Sequence, residues 1–187
     1  MVGNDIIDIE LAKTQSNWQR PRYLDKIFTL EEQDLIEYSE APNLMVWQLW
    51  SMKEAAYKLY TQLHPSRFYN PKAFACTIDN GRLVTYKAFK CHVNTKSTSK
   101  YIVSEAHAKQ QNINSEVVCL SVTSSKAQSK ILRDRILSLV SQQWHCDKKD
   151  IKFVKRKYGI PTIQVNRKDI NISLSHHGRF GAIAFAR

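Results

Sequence analysis

Residues 50–58 place an acid and two lysines in one segment with a helix-forming composition. In this segment, WSMKEAAYK, Glu54 and Lys58 are four residues apart and share one face of a helix, whereas Lys53 points elsewhere. A carboxylate can take up a proton, and an ammonium group can neutralise a phosphate. The simpler interpretation is a solvent-exposed ion pair on a helix surface.

Asp5 lies at the start of a predicted strand. It follows Gly3 closely and precedes the β-branched Ile6, Ile7 and Ile9, a composition that favours a strand over residues 3–9. Acids are poor strand formers, so Asp5 at this position needs a partner such as a cation. The alternative is a turn aspartate that begins the strand.

Residues 172–185 contain a strand, a polar turn with glycine and a second strand, which predicts a hairpin. The turn region holds Ser175, His176 and Arg179. Hydroxyl, imidazole and guanidinium groups bind phosphate oxygens well. The alternative is a polar turn without a ligand.

Together these three segments resemble the 4′-phosphopantetheinyl transferase superfamily. Its members carry a G-x-D strand, a W-x-x-K-E-A-x-x-K helix and an S-H hairpin. Here these motifs are Gly3-Asn4-Asp5, residues 50–58 and Ser175-His176. Within the helix motif, Lys53 is interpreted as structural or ion-paired and Trp50 as core packing.

The order of the motifs predicts a permuted chain. Larger members of this family join two similar halves and carry the S-H hairpin in the first. Here residues 124–187 resemble that half, which binds coenzyme A, and residues 1–123 resemble the metal-binding half. Permutation is tolerated where chain termini are exposed and close together. The expected fold is α+β, a pseudodimer of two halves that each pack a helix on an antiparallel sheet.

The resemblance implies a reaction and roles for five residues. Phosphopantetheine moves from coenzyme A to a serine of an acyl or peptidyl carrier protein, and adenosine 3′,5′-bisphosphate leaves. By resemblance, Asp5 and Glu54 bind Mg²⁺, and Glu54 is also the base for the carrier serine. Lys58 matches the lysine that contacts the transferred phosphate, and Ser175 and His176 match contacts to coenzyme A phosphates.

Two positions depart from the family pattern. Many two-half members have a second metal-binding acid two residues after the first, where this chain has Ile7. Asp8 points to the other strand face, so a water is the expected third ligand. The family lysine of G-K-P is replaced by Ile160. We expect Lys155, Lys157 or the intervening Arg156 to supply its charge, although such a run is equally often solvated surface.

Charge and composition restrict the function classes. Residues 121–187 contribute +10 of the net charge of +11, which suits coenzyme A and an acidic carrier. No apolar run is long enough for a membrane span, and the first residues do not form a signal peptide. Four widely spaced cysteines indicate reduced thiols in a cytoplasmic protein without a zinc site.

The remaining pattern predicts alternating helices and strands. Helices are expected at 30–39, 44–63 and 126–144, with Thr29 as a cap and Glu32 three residues on. Strands are expected at 74–78 and 82–86, joined at Asp79-Asn80-Gly81. Residues 95–100 are expected to form a mobile turn. Further strands are expected at 87–93, 101–106, 117–123, 151–154, 162–165 and 170–175.

Three functions are compatible with the sequence. The first is an active phosphopantetheinyl transferase, monomeric because one chain holds both halves, for carriers of fatty-acid, polyketide or peptide synthesis. The second is a non-catalytic protein of the same fold that binds coenzyme A or a carrier. The third is a basic nucleic-acid-binding module, for which no recognised motif is present.

Overall fold

The computed structural model describes residues 1–68, 70–78, 81–109 and 112–186. Its first half contains a five-stranded antiparallel sheet in the order β1-β5-β4-β3-β2 and four α-helices. The strands are β1 (Gly3–Asp8), β2 (Ala75–Thr77), β3 (Leu83–Tyr86), β4 (Phe89–Ser97) and β5 (Tyr101–His107). The helices are α1 (Ile9–Gln15), α2 (Tyr23–Ile27), α3 (Leu30–Glu37) and α4 (Pro42–Leu63).

The second half contains another five-stranded sheet, in the order β6-β10-β9-β8-β7, and one long helix. The strands are β6 (Ile113–Cys119), β7 (Lys152–Lys155), β8 (Pro161–Val165), β9 (Lys168–His177) and β10 (Phe180–Ala186), and the helix is α5 (Ser125–Trp144). Single turns of 3₁₀-helix lie at Pro71–Ala73, Lys148–Asp150 and Lys157–Gly159. No helix in the described ranges is long and apolar enough to cross a membrane.

The two sheets have the same strand order, because β6 to β10 repeat the arrangement of β1 to β5. This confirms the predicted α+β class and pseudodimer. β6 belongs to the second sheet, although the predicted first half, 1–123, includes it. We therefore propose that the halves divide between His107 and Ile113, before β6.

Helix α4 forms the centre of the first core. Proline stands at its first position, where a missing N–H costs no helical hydrogen bond. Its buried apolar residues recur every three or four positions and face the sheet. They include Val46, Leu49, Met52, Ala56 and Leu59. Burying such a side chain stabilises the fold by about 1.5–3 kcal/mol.

A buried ion pair fixes α3 against α4. Lys53 Nζ lies 2.7 Å from Glu32 Oε2, and both side chains are almost fully buried. Glu32 also completes the predicted capping box with Thr29 and accepts the Cys76 N–H at 2.6 Å. Lys53 additionally donates to the Phe74 carbonyl at 2.6 Å. The interpretation of Lys53 as ion-paired is therefore confirmed.

The two halves meet through the sheet faces that point away from the long helices. Ile6 of β1 packs with Val103 of β5 and with Phe180 and Ala182 of β10. Strand alternation explains this, because Ile6 and Asp8 point away from α4 whereas Gly3, Asp5 and Ile7 point toward it. β1 thus contacts both halves at once.

Several local predictions differ from the structure. The turn expected at 95–100 is confirmed for residues 98–100, which connect β4 and β5, and is wrong for residues 95–97, which belong to β4. Cross-strand hydrogen bonding between Thr95 and Ser104 compensates for its polar composition. Helices α1 and α2 were not predicted, since they are short and lack a long apolar period. β2 and β3 pair as expected, but Asp79 and Asn80 of the predicted turn lie outside the described residues.

Candidate active site

β1 and α4 bring Asp5 and Lys58 together. Lys58 Nζ lies 2.8 Å from Asp5 Oδ1 and also donates to the Asn4 carbonyl at 2.9 Å. The Asp5 side chain is mostly buried, and that of Lys58 is about two-thirds buried. The acid predicted to need a cationic partner in the strand therefore has one, contributed by the predicted helix face.

Gly3 permits this contact because β1 and α4 touch through their backbones. A Cβ atom at Gly3 would lie 2.0 Å from the Ala55 carbonyl oxygen and 2.7 Å from the Leu59 nitrogen. Any side chain at residue 3 would force the helix away from the strand. The glycine of the G-x-D motif is thus explained by packing, two residues before the acid that it positions.

The electrostatics of Asp5 reflect two opposing effects. Burial raises the pKa of the Asp5 carboxyl above its ordinary value, and the charge and hydrogen bond of Lys58 oppose that shift. A positive charge near Asp5 therefore favours the ionised form. An additional cation would be stabilised by this carboxylate for the same reason.

Glu54 lies on α4 one turn before Lys58 and is half-buried. Its charge acts on a neighbour, since burial and then the Glu54 carboxylate raise the pKa of Tyr57. The four-residue spacing places Glu54 and Lys58 along one side of the helix. The assignment of Glu54 as metal ligand and base stays a prediction.

Strand β9 lies beside the free edge of β1 and supplies side chains to its backbone. The Asn4 N–H donates to Ser173 Oγ and the Asp8 N–H donates to His177 Nδ1, both at 2.9 Å. Both pairs are separated by 169 residues, which places Ser175 opposite Ile6. Ser175 is 7% exposed, and its Oγ is buried without a hydrogen-bond partner among the described residues.

The two histidines of the hairpin point in different directions. His177 accepts at Nδ1, so its proton is on Nε2, which donates to Gln15 Oε1 at 2.7 Å. His176 Nε2 lies 3.3 Å from Ser129 Oγ of α5. Burial lowers the pKa of both imidazoles, and the charge of Lys58 contributes to the shift of His176. His176 therefore lies in the electrostatic range of the Asp5–Lys58 pair.

Asp8 joins the halves and does not replace the acid missing at Ile7. Arg179 donates from its backbone N–H, Nε and Nη2 to the Asp8 carboxylate at 2.6–2.9 Å. These bonds hold the pKa of Asp8 at about 2. Ile7 is buried in the first core. The predicted separation of Asp8 from the Asp5 face is confirmed.

A cleft of about 230 Å³ lies between the halves, and Lys58 is one of the residues that line it. Arg67 lines it from the first half, and Tyr158 and Ile160 line it from the second. Lys157 lies beside it, with Nζ 5.0 Å from the centre of the Tyr158 ring.

The other predicted cations of this region lie away from the cleft lining. Lys155 is exposed on β7, and Arg156 is paired with Asp169. The roles predicted for Lys155 and Lys157 in binding coenzyme A stay predictions. Among the cleft-lining residues, Arg67 had no recognisable motif in the sequence.

The assignment of Asp5 and Glu54 as ligands of a divalent cation stays a prediction. Mg²⁺ is commonly held by one or two carboxylates together with waters and substrate phosphates. Within the described ranges, no group of three or more His, Cys, Asp or Glu side chains is arranged to hold a metal ion. A cation bound at Asp5 would oppose the effect of burial, which raises the pKa of this carboxyl, in the same way as Lys58 does.

Comparison with known proteins identifies the family. Residues 1–118 match the family model of the 4′-phosphopantetheinyl transferase superfamily, and the chain belongs to this superfamily. The chain is also similar to the crystal structure of Thermotoga maritima holo-acyl-carrier-protein synthase, with 16% identity and a TM-score of 0.43. That likeness covers 71% of this chain and 89% of the other. Among the curated proteins there is no match.

Sequence reasoning missed Ser173 and His177, which bind the edge of β1. Their signal was present, because Ser173, Ser175 and His177 alternate along β9 and share one face. The pattern could not show which strand they face. That contact joins residues 169 positions apart and depends on how the two sheets pack.

Proposed function

We propose that this protein transfers the 4′-phosphopantetheine group from coenzyme A to a serine hydroxyl of a carrier protein. The observation that supports this most strongly is the Asp5–Lys58 pair, because Lys58 also lines the cleft between the halves and β1 lies next to β9. It combines a carboxylate suited to a cation with an ammonium suited to a phosphate.

The reaction is a phosphoryl transfer with a defined balance. The serine oxygen bonds to the phosphorus that carries pantetheine, and the bond from that phosphorus to the bridging oxygen breaks. Adenosine 3′,5′-bisphosphate leaves with that oxygen. The hydroxyl proton passes to a base, which we assign to Glu54, directly or through a water. The weak nucleophile and the anionic diphosphate explain why the site needs both a base and positive charge.

Lys58 has two tasks in this proposal. It orients Asp5 through the 2.8 Å contact, donates a second hydrogen bond to the Asn4 carbonyl, and presents its third N–H to the diphosphate. Mg²⁺, held by Asp5 and Glu54, supplies further neutralisation of phosphate charge when bound. Ser175 and His176 lie on the second-half hairpin beside β1, and we assign them to coenzyme A phosphate contacts.

The carrier partner is proposed from charge. Residues 121–187, all in the second half, carry +10 of the net charge of +11, and carrier proteins of this reaction present acidic surfaces. We propose that one chain acts as a monomer, because Asp5 of the first half and β9 of the second lie side by side within it. Carriers of fatty-acid, polyketide and peptide synthesis are all compatible with this chemistry.

The proposed activity is tested by the intact mass of an apo-acyl-carrier protein incubated with this protein, coenzyme A and Mg²⁺. We expect a mass gain of one phosphopantetheine group, lost when Mg²⁺ is chelated and restored when it is added back. A panel of carriers from the three kinds of synthesis serves as substrate. Binding of coenzyme A without modification of any carrier would favour the non-catalytic alternative.

A further inference from the structure

Two histidines lie side by side on the first sheet, away from the proposed transferase site. The strand register pairs His92 of β4 directly with His107 of β5. Their neighbours Cys91, Val93 and Ala106 are buried in the first core, which includes α4. Because side chains alternate along a strand, both imidazoles lie on the sheet face that points away from this helix.

The two imidazole rings face each other closely. Their centroids are 5.8 Å apart, and their planes differ by only 19°. A zinc ion bound by imidazole lies about 2.0–2.1 Å from the nitrogen, so two rings that share one ion must face each other across a few ångströms. The separation of this pair is compatible with one shared ion.

One nitrogen of the pair lacks a partner. His107 Nδ1 is buried and makes no hydrogen bond within the part of the chain that the structure describes. Buried polar atoms in proteins usually have a partner, and each exception requires an explanation. Packing between cross-strand aromatic residues accounts for the stacked rings but leaves this nitrogen unsatisfied. His92 is exposed, so a metal ion can reach the pair from solvent on that side.

We propose that His92 and His107 together bind a divalent transition-metal ion such as Zn²⁺, with water molecules in its remaining coordination positions. Imidazole nitrogen is a preferred ligand of Zn²⁺, Cu²⁺ and Ni²⁺, whereas Mg²⁺ prefers oxygen. Among the described residues, no third His, Cys, Asp or Glu joins the pair in a metal-binding group. With two protein ligands the ion is exchangeable, unlike the four-ligand ion of a structural zinc site.

This site is distinct from the one proposed for Mg²⁺. Asp5 points toward α4, whereas the two histidines lie on the opposite face of the same sheet. The ion connects β4 to β5, and β5 pairs in turn with β1. Because a ligand that binds only the folded state stabilises it, Zn²⁺ should raise the temperature of unfolding.

The test is calorimetric titration of the full chain with Zn²⁺ in the presence of excess Mg²⁺, which occupies sites made of oxygen ligands. We expect one Zn²⁺ ion to bind per chain. His92→Asn and His107→Asn should each weaken this binding at least about tenfold, because one imidazole alone cannot chelate the ion. The double variant should bind no more weakly than either single variant, since the two ligands act as a unit.

His145→Asn is the matched control. His145 is exposed in the second half and has a left-handed backbone that asparagine also adopts, so this variant should fold and bind Zn²⁺ like the unmodified protein. His92 is exposed as well, so its substitution should leave the fold intact.

Thermal unfolding gives a second measurement. Zn²⁺ should raise the unfolding temperature of the unmodified protein and of His145→Asn, but not that of His92→Asn. Zn²⁺ binding of unchanged affinity in His92→Asn would overturn the proposal, as would the absence of Zn²⁺ binding to the unmodified protein. Neither measurement involves coenzyme A or a carrier, so such a failure would leave the proposed transferase function intact.

Discussion

The two halves share one architecture, and each has an acid on its edge strand that pairs with a cation. They differ in the geometry and burial of that pair. In the first half, Asp5 of β1 pairs with Lys58 of α4. In the second, Glu116 of β6 pairs with Arg135 of α5. Both acids thus face a cation from the long helix that packs on their own sheet.

The strand register shows that the two acids occupy equivalent positions. Asp5 pairs with the fourth residue of β5, Ser104, and Glu116 pairs with the fourth residue of β10, Ile183. β5 and β10 are also equivalent, since each follows a hairpin turn and lies next to the edge strand. The acid–cation pair is therefore a repeated feature of the pseudodimer.

The surroundings of the two acids differ. Arg135 binds both carboxylate oxygens of Glu116, each at 2.7 Å, and both side chains are partly exposed. Lys58 contacts one oxygen of the more deeply buried Asp5. A bidentate arginine satisfies a carboxylate, whereas a single lysine leaves it capacity for another cation. We therefore propose that the first-half pair is part of a site, whereas the second-half pair is a structural ion pair.

The largest expected difference between the halves is in activity. Lys58→Met should reduce transfer to the carrier at least about 100-fold, because the diphosphate loses a charged contact. Arg135→Met should leave the rate within about twofold, since an exposed ion pair contributes little. Initial rates measured at equal folded concentration test this. Equal losses in the two variants would contradict the division of roles.

The ion pairs of the two halves should contribute differently to the free energy of unfolding, because the Lys53–Glu32 pair of the first half is buried. Lys53→Met leaves Glu32 charged and buried and should lower the free energy of unfolding by about 3–5 kcal/mol. Lys149→Met, in the exposed pair with Asp147 of the second half, should cost less than about 1 kcal/mol. Urea unfolding measures both. Adding Glu32→Gln to Lys53→Met should recover part of the loss, and a further loss instead would argue against a charge effect.

Alanine substitutions at one glycine in each half test how closely the strand and the long helix pack there. Gly3→Ala collides with helix backbone and should destabilise the protein by at least about 3 kcal/mol. Gly181→Ala meets Leu132 Cδ2 at 2.6 Å, a side-chain end that can reorient, and should cost about 1 kcal/mol. Thermal unfolding of the two variants gives the order. A smaller loss of stability in Gly3→Ala than in Gly181→Ala would mean that α4 can move away from β1 at little cost in free energy.

The contact between the halves should respond to pH through Asp8. Its folded pKa of about 2 lies below its ordinary value of 3.8, so the ionised form stabilises the fold above that value. This contribution, about 1–2 kcal/mol after allowance for the exposed Arg179, is lost as pH falls toward 2. Unfolding of the unmodified protein and Arg179→Met should differ most near pH 6. If the difference in unfolding free energy between the two proteins does not become smaller as the pH falls, ionisation of Asp8 is not its source.

Local patterns predicted the elements that carry the motifs. The β-branched run of β1, the period of α4 and the polar turn after β9 each lie within one segment, so propensity and spacing suffice to place them. The Thr29–Glu32 capping box is local as well. Asp5 and Lys58 were therefore named from the sequence, together with the expectation that Asp5 needs a cation.

Contacts between distant segments were not accessible in this way. The sequence pattern of β6 predicts a strand but not the sheet to which it belongs. Its pairing with β10 assigns it to the second half. Arg67 has no motif, and its place beside Tyr158 follows from how α4 ends against the second half. Ser173 and His177 bind an edge of β1 that no local pattern reveals. Such placements depend on packing of whole sheets.

The most direct test of the central claim is the intact mass of an apo-carrier after incubation with coenzyme A, Mg²⁺ and one of two matched variants, Asp5→Asn or Glu116→Gln. Each removes one carboxylate charge from an equivalent strand position. We predict that Glu116→Gln modifies the carrier like the unmodified protein and that folded Asp5→Asn leaves its mass unchanged. Full modification by Asp5→Asn would contradict the assignment of the site to the first-half strand.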